Sequence, residues 1–274
     1  MKKDKILYVS DLDGTLLNSN QNISVYTADI INGLVKKGMI FTYATARSTY
    51  TAFPKTSKIK GELPIIIYNG VFIVNNETGE KLLSYYFSRE ETNEIKNTLE
   101  CDGVYPIVYS TIDNRERFSY GINNMSEGIR EFTSTRENDE RKNEITDLEH
   151  LYDGENFYYT CIDDKEKLLS AFNKLKRKYR CIFSRDIYSG DYWLEIMPQE
   201  ATKANAVLKL KEMLGCDKVI TFGDNLNDIE MFKISDECYA VENAVDKLKE
   251  CATAVIGSNN DEGVAKWLME NVKL

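Results

Sequence analysis

Histidine is nearly absent from this 274-residue chain. The single one, His150, lies in a polar stretch, so a histidine-based mechanism has no support and His150 reads as an ordinary surface residue. The six cysteines (Cys101, Cys161, Cys181, Cys216, Cys238, Cys251) are scattered without a Cys-x-x-Cys pair, which reads as reduced thiols rather than a disulfide framework. Basic residues are in the minority, 35 against 44 acidic, and the net charge of −9 argues against a nucleic-acid surface. No apolar run approaches the ~18 residues that a membrane helix needs. The opening residues, Met1-Lys2-Lys3-Asp4-Lys5, lead into only a few apolar ones, so no signal peptide is visible and a cytoplasmic location is expected. Neither nucleic acid nor membrane is an expected partner, and a monomer or weak homodimer is the expected state. Internal repeats and low-complexity tracts are also lacking.

What remains is a globular composition, 42% hydrophobic and 29% charged, in a chain long enough for one large domain or two ordinary ones. It is organised around Tyr8-Val9-Ser10-Asp11-Leu12-Asp13-Gly14-Thr15. A short apolar run, 6–9, reads as a buried strand. It ends on two aspartates one residue apart, whose side chains strand geometry would send to the same side. Gly14 allows a sharp turn or a close approach. An EF-hand is excluded, because its glycine belongs at loop position six and here it falls at position four.

Further along, Ser24 is placed to cap a helix that Gly38 ends. A strand over 39–44 stops at Thr45-Ala46-Arg47-Ser48, and Pro54 should limit or kink any helix that follows. A third strand, 64–68, stops at Asn69-Gly70, and a hairpin with its tip at 75–79 follows. The character changes near Phe87. Strands at 104–111, 117–121, 157–162, 181–184 and 192–197 alternate with helices at 88–101 and 164–179, while 126–150 is charged and ambiguous. This reads as an antiparallel sheet with helices on one face. A βαβ pattern then returns: a helix at 202–214, a strand at 218–222 ending on Gly223-Asp224-Asn225-Leu226-Asn227-Asp228, and further strand–helix units. The expected class is α/β, a Rossmann-like parallel-sheet core (1–83 and 192–274) interrupted by an inserted α+β cap (84–191).

Asp11/Asp13, Thr45, Asn69 and Asp224/Asn227/Asp228 thus sit at the carboxyl ends of predicted strands, where open α/β sheets bind ligands. Lys203 opens a helix, a mildly unfavourable place for a cation. Taken singly, each has a plain alternative: a turn, a helix cap or a surface lysine. Together they converge on one crevice. Carboxylates in such number need a cation, and hard oxygen ligands without His or Cys suit Mg²⁺. Hydroxyl, ammonium and amide donors beside it suit a phosphoryl group. Asp11 can serve as nucleophile and Asp13 as general acid and base.

These residues resemble the motifs of the haloacid dehalogenase superfamily, specifically its Cof-type phosphatases with an α/β cap. Asp11-Leu12-Asp13-Gly14-Thr15 matches the first motif, Thr45 the second, Lys203 the third and Gly223-Asp224-x-x-Asn227-Asp228 the fourth. The resemblance implies Mg²⁺ held by Asp11, the Asp13 backbone carbonyl and Asp224. It implies phosphate or substrate contacts from the Leu12 amide, Thr45, Ala46, Arg47, Asn69, Lys203 and Asn227, with Asp228 orienting the site from behind. The family usually has glycine where Ala46 stands; alanine keeps the backbone amide but not glycine's φ range. The activity so implied is hydrolysis of small phosphorylated metabolites, sugar phosphates first, through an aspartyl-phosphate. A sugar phosphomutase and a non-catalytic phospho-ligand-binding module are the alternatives. The inserted block is large enough to act as a hinged cap. Its Tyr105, Tyr109, Tyr120, Tyr188, Tyr192 and Trp193 are the residues to weigh as core or as substrate platform.

Overall fold

The computed structural model describes residues 4–61, 63–185 and 190–273. In chain order, β1 (Ile6–Ser10), α1 (Val25–Lys36), β2 (Ile40–Tyr43), α2 (Thr49–Thr56), β3 (Ile65–Ile67), β4 (Phe72–Val74) and β5 (Lys81–Ser84) come first. Next are α3 (Arg89–Cys101), β6 (Ile107–Ile112), β7 (Arg115–Gly121), α4 (Glu127–Ser134), β8 (Lys142–Ile145), β9 (Glu155–Asp163), α5 (Lys165–Leu175), β10 (Arg180–Arg185) and β11 (Tyr192–Met197). The chain ends with α6 (Lys203–Leu214), β12 (Lys218–Gly223), α7 (Ile229–Lys233), β13 (Glu237–Val241), α8 (Asp246–Lys249), β14 (Ala254–Ile256) and α9 (Gly263–Asn271).

Residues 1–84 and 201–274 form one compact unit, and 85–200 a second. In the first, a parallel sheet runs β14-β13-β12-β1-β2. A parallel bridge between Ala44 and Ile66 joins β3 to β2, and β3, β4 and β5 continue as an antiparallel meander. Period-two alternation divides the sheet's contacts. Leu7 and Val9 of β1 and Val219 of β12 pack with Ala206, Val207 and Leu210 of α6 and Met231 of α7. Tyr8, Phe222 and Tyr239 turn instead to Trp267 of α9, at ring centroid distances of 6.5, 5.2 and 4.3 Å. Residue 11 continues the odd-numbered row, so β1 aims Asp11 at the α6 side of the sheet.

Local signals act where expected. Ser24 Oγ accepts from the Thr27 amide, and Gly215 ends α6 in the left-handed region at φ 60°. Pro54 lies inside α2, which ends two residues later at Thr56 and is capped at its start by Ser48. The turn after β3 meets the start of α6. Gly70 has φ +100°, and a β-carbon built there would lie 2.2 Å from the Thr202 carbonyl oxygen.

The second unit is a six-stranded sheet, β10-β11-β9-β6-β7-β8, antiparallel except for β7 with β8. Tyr192–Met197 pairs with both β9 and β10 in this sheet, so the second core segment begins at 201 and not at the expected 192. The helices do not all lie on one face. Cys161 and Leu194 pack with α3 and α5, whereas the adjacent Ile162 and Trp193 meet Gly128 and Phe132 of α4 from the other side. The charged stretch hid α4 because only Ile129 and Thr133 of it are buried. Tyr109 and Tyr120 are core, packed on Phe118. Tyr192 stacks on Phe183, Tyr105 is half-buried, and Tyr188 lies outside the described residues.

Gly70→Ala should therefore cost at least ~2 kcal/mol more than Gly79→Ala. Gly79 shares a positive φ of +72° but has nothing within 4 Å of a built β-carbon. Urea unfolding of the two variants checks this; equal losses would mean that the contact with Thr202 is slack.

Candidate active site

Asp11 leaves β1 in extended conformation, its amide bonded to the Phe222 carbonyl of β12 at 2.9 Å. The neighbouring strand thereby fixes where its carboxylate begins. Lys203, the first residue of α6, is buried to 1% side-chain exposure. Its Nζ donates to Asp11 Oδ1 at 2.5 Å and to Asp228 Oδ1 at 2.8 Å. The other oxygen of Asp228 accepts from the Asp224 and Asn225 amides at 3.0 and 3.2 Å. Asp228 is thus spent on positioning Lys203 and the turn that carries Asp224.

Strand alternation carries only as far as Asp11. Leu12–Leu16 forms one wide turn, non-helical at Asp13 and Gly14. Gly14, at φ +77°, lets Asp224 close in, since a β-carbon there would sit 2.3 Å from Asp224 Oδ2. Thr15 Oγ1 donates to Asp224 Oδ1 at 3.0 Å. From behind, Asn243 Nδ2 donates to the Gly14 carbonyl at 2.7 Å, while Asn243 Oδ1 accepts from the Asn259 amide at 2.9 Å. Thr15 and Asn243 were not among the expected site residues. Thr15 was legible as the hydroxyl of the first motif, and Asn243 as one more polar residue at the end of a parallel strand.

Carboxylate oxygens of Asp11, Asp224 and Asp228 come within 4.8 Å of one another. Burial pushes the Asp11 carboxyl well above its ordinary range, against the pull of Lys203. Asp224 is raised to about 6, first by burial and then by Asp228. Burial alone would lower Lys203, but Asp11 and Asp228 lift it above its usual value, so it stays an ammonium. One ammonium for three carboxylates leaves negative charge that a hard cation would offset. Asp228 is committed to Lys203 and two amides, which leaves Asp11 and Asp224 as the side chains able to hold a divalent ion, and this donor set fits one.

Asp13 is set differently, with its side chain 46% exposed. Arg47 forks onto it, Nε to Oδ2 at 2.7 Å and Nη2 to Oδ1 at 2.6 Å, and this pairing raises the guanidinium above its usual pKa. Thr45 is fully buried and its Oγ1 accepts from the Arg47 amide at 3.1 Å. The Asn69 amide donates to the Thr45 carbonyl at 2.9 Å, and Asn69 Oδ1 is buried with no hydrogen-bond partner. Ala46 is exposed and is not among the residues with positive φ, so its backbone does not need glycine. Asn227 is half-buried in the Leu226–Asp228 turn, and Leu12 is buried at the start of its own.

An open parallel sheet with carboxylates, a lysine and small polar groups at its carboxyl end has the layout of an α/β ligand site. A profile of the haloacid dehalogenase-like hydrolases matches residues 8–268, and the chain belongs to that family, in its Cof-type branch. It is an enzyme, a hydrolase of the class whose named members act on phosphoric monoesters. It is similar to the 5-amino-6-(5-phospho-D-ribitylamino)uracil phosphatase YwtE of Bacillus subtilis (strain 168), 30% identical over 94% of this chain and 95% of that protein. The solved structure of TM0651 from Thermotoga maritima is 26% identical with a TM-score of 0.79, covering 99% of this chain and 98% of that one. A haloacid dehalogenase-like hydrolase from Bacteroides thetaiotaomicron shares the fold at 24% identity and TM-score 0.79, over 98% of this chain and 100% of that one. No helix among the described residues is long and apolar enough to cross a membrane.

Asp228→Ala would leave Lys203 half-paired in a dry site and free two backbone amides. It should cost roughly 3 kcal/mol, and Asp228→Asn distinctly less. Chemical denaturation of both variants is the check; a loss below ~1 kcal/mol in the alanine variant would mean that Asp228 does not hold Lys203.

Proposed function

We propose that this chain is a Mg²⁺-dependent phosphatase that hydrolyses small phosphorylated metabolites, sugar phosphates first among them, through an aspartyl-phosphate on Asp11. The observation that carries the reading is the Asp11–Lys203–Asp228 chain with Asp224 beside it at the end of β1. Asp11, Asp224 and the Asp13 backbone carbonyl would hold the cation. Bound there, Mg²⁺ supplies charge neutralisation and alignment for the phosphoryl oxygens.

The rest follows from the side chains. An Asp11 carboxylate oxygen attacks phosphorus as the bond to the leaving oxygen breaks, and that oxygen takes a proton from the Asp13 carboxyl. Water then attacks the aspartyl-phosphate, Asp13 accepts its proton, and Asp11 is released with inorganic phosphate. Lys203, the Thr45 hydroxyl, the Leu12 and Ala46 amides, Asn69 and Asn227 are the donors assigned to the phosphoryl oxygens. The unpartnered Asn69 Oδ1 suits a substrate hydroxyl better than a phosphate oxygen, since an oxygen acceptor needs a donor. The names of two Bacillus subtilis relatives specify a phospho-D-ribitylamino substrate, which supports a small polyol or sugar phosphate and hydrolysis rather than transfer.

Asp11→Asn should fold normally and lose at least ~10³-fold in kcat on every substrate found in a screen of phosphorylated metabolites. Substantial residual turnover with metal present would remove Asp11 from the nucleophile's role, and a wild type inert on the whole screen would end the phosphatase reading. Asp224→Ala should lose activity that excess Mg²⁺ partly restores, because other ligands remain. Lys203→Ala should not respond to added metal, since it lacks a charge facing the phosphate oxygens. Identical Mg²⁺ titrations for the two would refute this division of roles.

A further inference from the structure

Arg47 has two contrasting uses open to it: gripping the substrate phosphate, or acting on Asp13. The geometry favours the second. Its Nε and Nη2 each meet a different oxygen of the Asp13 carboxylate, at 2.7 and 2.6 Å. Its Nη1 reaches the Thr51 carbonyl of α2 at 3.5 Å, and its own amide is tied to Thr45 Oγ1 at 3.1 Å. The side chain is only 18% exposed, so the fork is held at both ends before any substrate arrives. A planar guanidinium matched to a carboxylate fixes the plane of that carboxylate as well as its charge, which an ammonium cannot do.

We infer that Arg47 is a positioning residue that acts through Asp13, holding it as the acid and base of the reaction, and is not a direct phosphate ligand. The inference rests on the phosphatase reading above. In the first half-reaction the P–O bond to the leaving group breaks, the bond from Asp11 to phosphorus forms, and the Asp13 proton passes to the leaving oxygen. The fork holds Asp13 as a carboxylate at the outset, so the proton enters with the substrate: a phosphate monoester monoanion carries one, Asp13 takes it and passes it to the leaving oxygen, and Asp13 is a carboxylate again. Arg47 thereby fixes the plane of the Asp13 carboxyl toward the leaving oxygen and presents the same carboxylate, already oriented, to the water of the second half-reaction.

The leaving group provides the test. A sugar alkoxide is too basic to depart without a proton, whereas 2,4-dinitrophenolate leaves unaided, and kcat/KM reports the steps up to that departure. Arg47→Lys keeps the charge and loses the fork. It should lower kcat/KM by about 30-fold or more on the sugar phosphate that the wild type turns over best, and by no more than about threefold on 2,4-dinitrophenyl phosphate. In an Asp13→Asn background the same substitution should cost less than about twofold, because the group it acts through is gone. Equal losses on the two substrates, or full additivity with Asp13→Asn, would return Arg47 to the phosphate. If Arg47→Lys does not fold by circular dichroism, Arg47→Gln is read in the same way, with the same split expected. Failure of the inference alone leaves a wild type that still hydrolyses both substrates; failure of the phosphatase reading leaves one that hydrolyses neither.

Discussion

A buried ammonium between two buried carboxylates is the constraint on which the catalytic unit depends. Lys203 is at the start of α6, Asp11 at the end of β1 and Asp228 beyond β12, so a single nitrogen ties the end of β1 to two consecutive elements at the other end of the chain. Taking such charges out of water costs several kcal/mol per ion, and the attraction between them offsets this only where the remaining hydrogen bonds are also made. Asp228 makes its share of them, its second oxygen accepting from two amides. Even so, apolar residues of similar size would be expected to give an equally stable protein. The cluster is better explained by what it prepares, a carboxylate at Asp11 poised beside fixed positive charge, than by stability.

The surroundings follow from that demand. Burial first, and the neighbouring carboxylates after it, lift Asp11 and Asp224 toward the protonated form, which would suit neither a nucleophile nor a metal ligand. A cation bound beside them would oppose this, so on the proposed reading cation binding and activation of Asp11 would be one electrostatic event. Asp13 stands outside this arrangement, half-exposed and held by Arg47 in place of Lys203. Two carboxylates one residue apart in sequence thereby acquire different partners and different degrees of burial. Such a separation lets neighbouring acids take different parts in one reaction.

Much of this was legible because strand period and strand ends are local properties. Asp11 and Asp224 could be assembled in advance from the rule that α/β sheets bind at their carboxyl ends, and Lys203 was added as a cation at the unfavourable start of a helix. What could not be read depended on partners remote in sequence. Tyr192–Met197 alternates like any strand, and only pairing with β9 and β10 assigns it to the second sheet. The side of that sheet taken by α4 rests on Gly128 meeting Ile162, which no periodicity announces. Pro54 was read as limiting or kinking the helix, and α2 runs only two residues past it. Arg47 was read with the phosphate because its motif places it there; its bidentate hold on Asp13 is a property of side-chain geometry that motif spacing does not encode.

Ala46 shows the same distinction from the other direction. A glycine in a phosphate loop invites the inference that the loop needs glycine's dihedral freedom. Here the backbone at 46 stays out of the positive-φ region, and the residue points no side chain into the core. What the loop requires is carried on either side of it, by buried Thr45, whose hydroxyl accepts from the Arg47 amide, and by Asn69, whose amide holds the Thr45 carbonyl. These bonds are indifferent to a methyl at 46. The loop therefore keeps its shape through its neighbours, and alanine keeps the amide that the proposed reading assigns to the phosphoryl group.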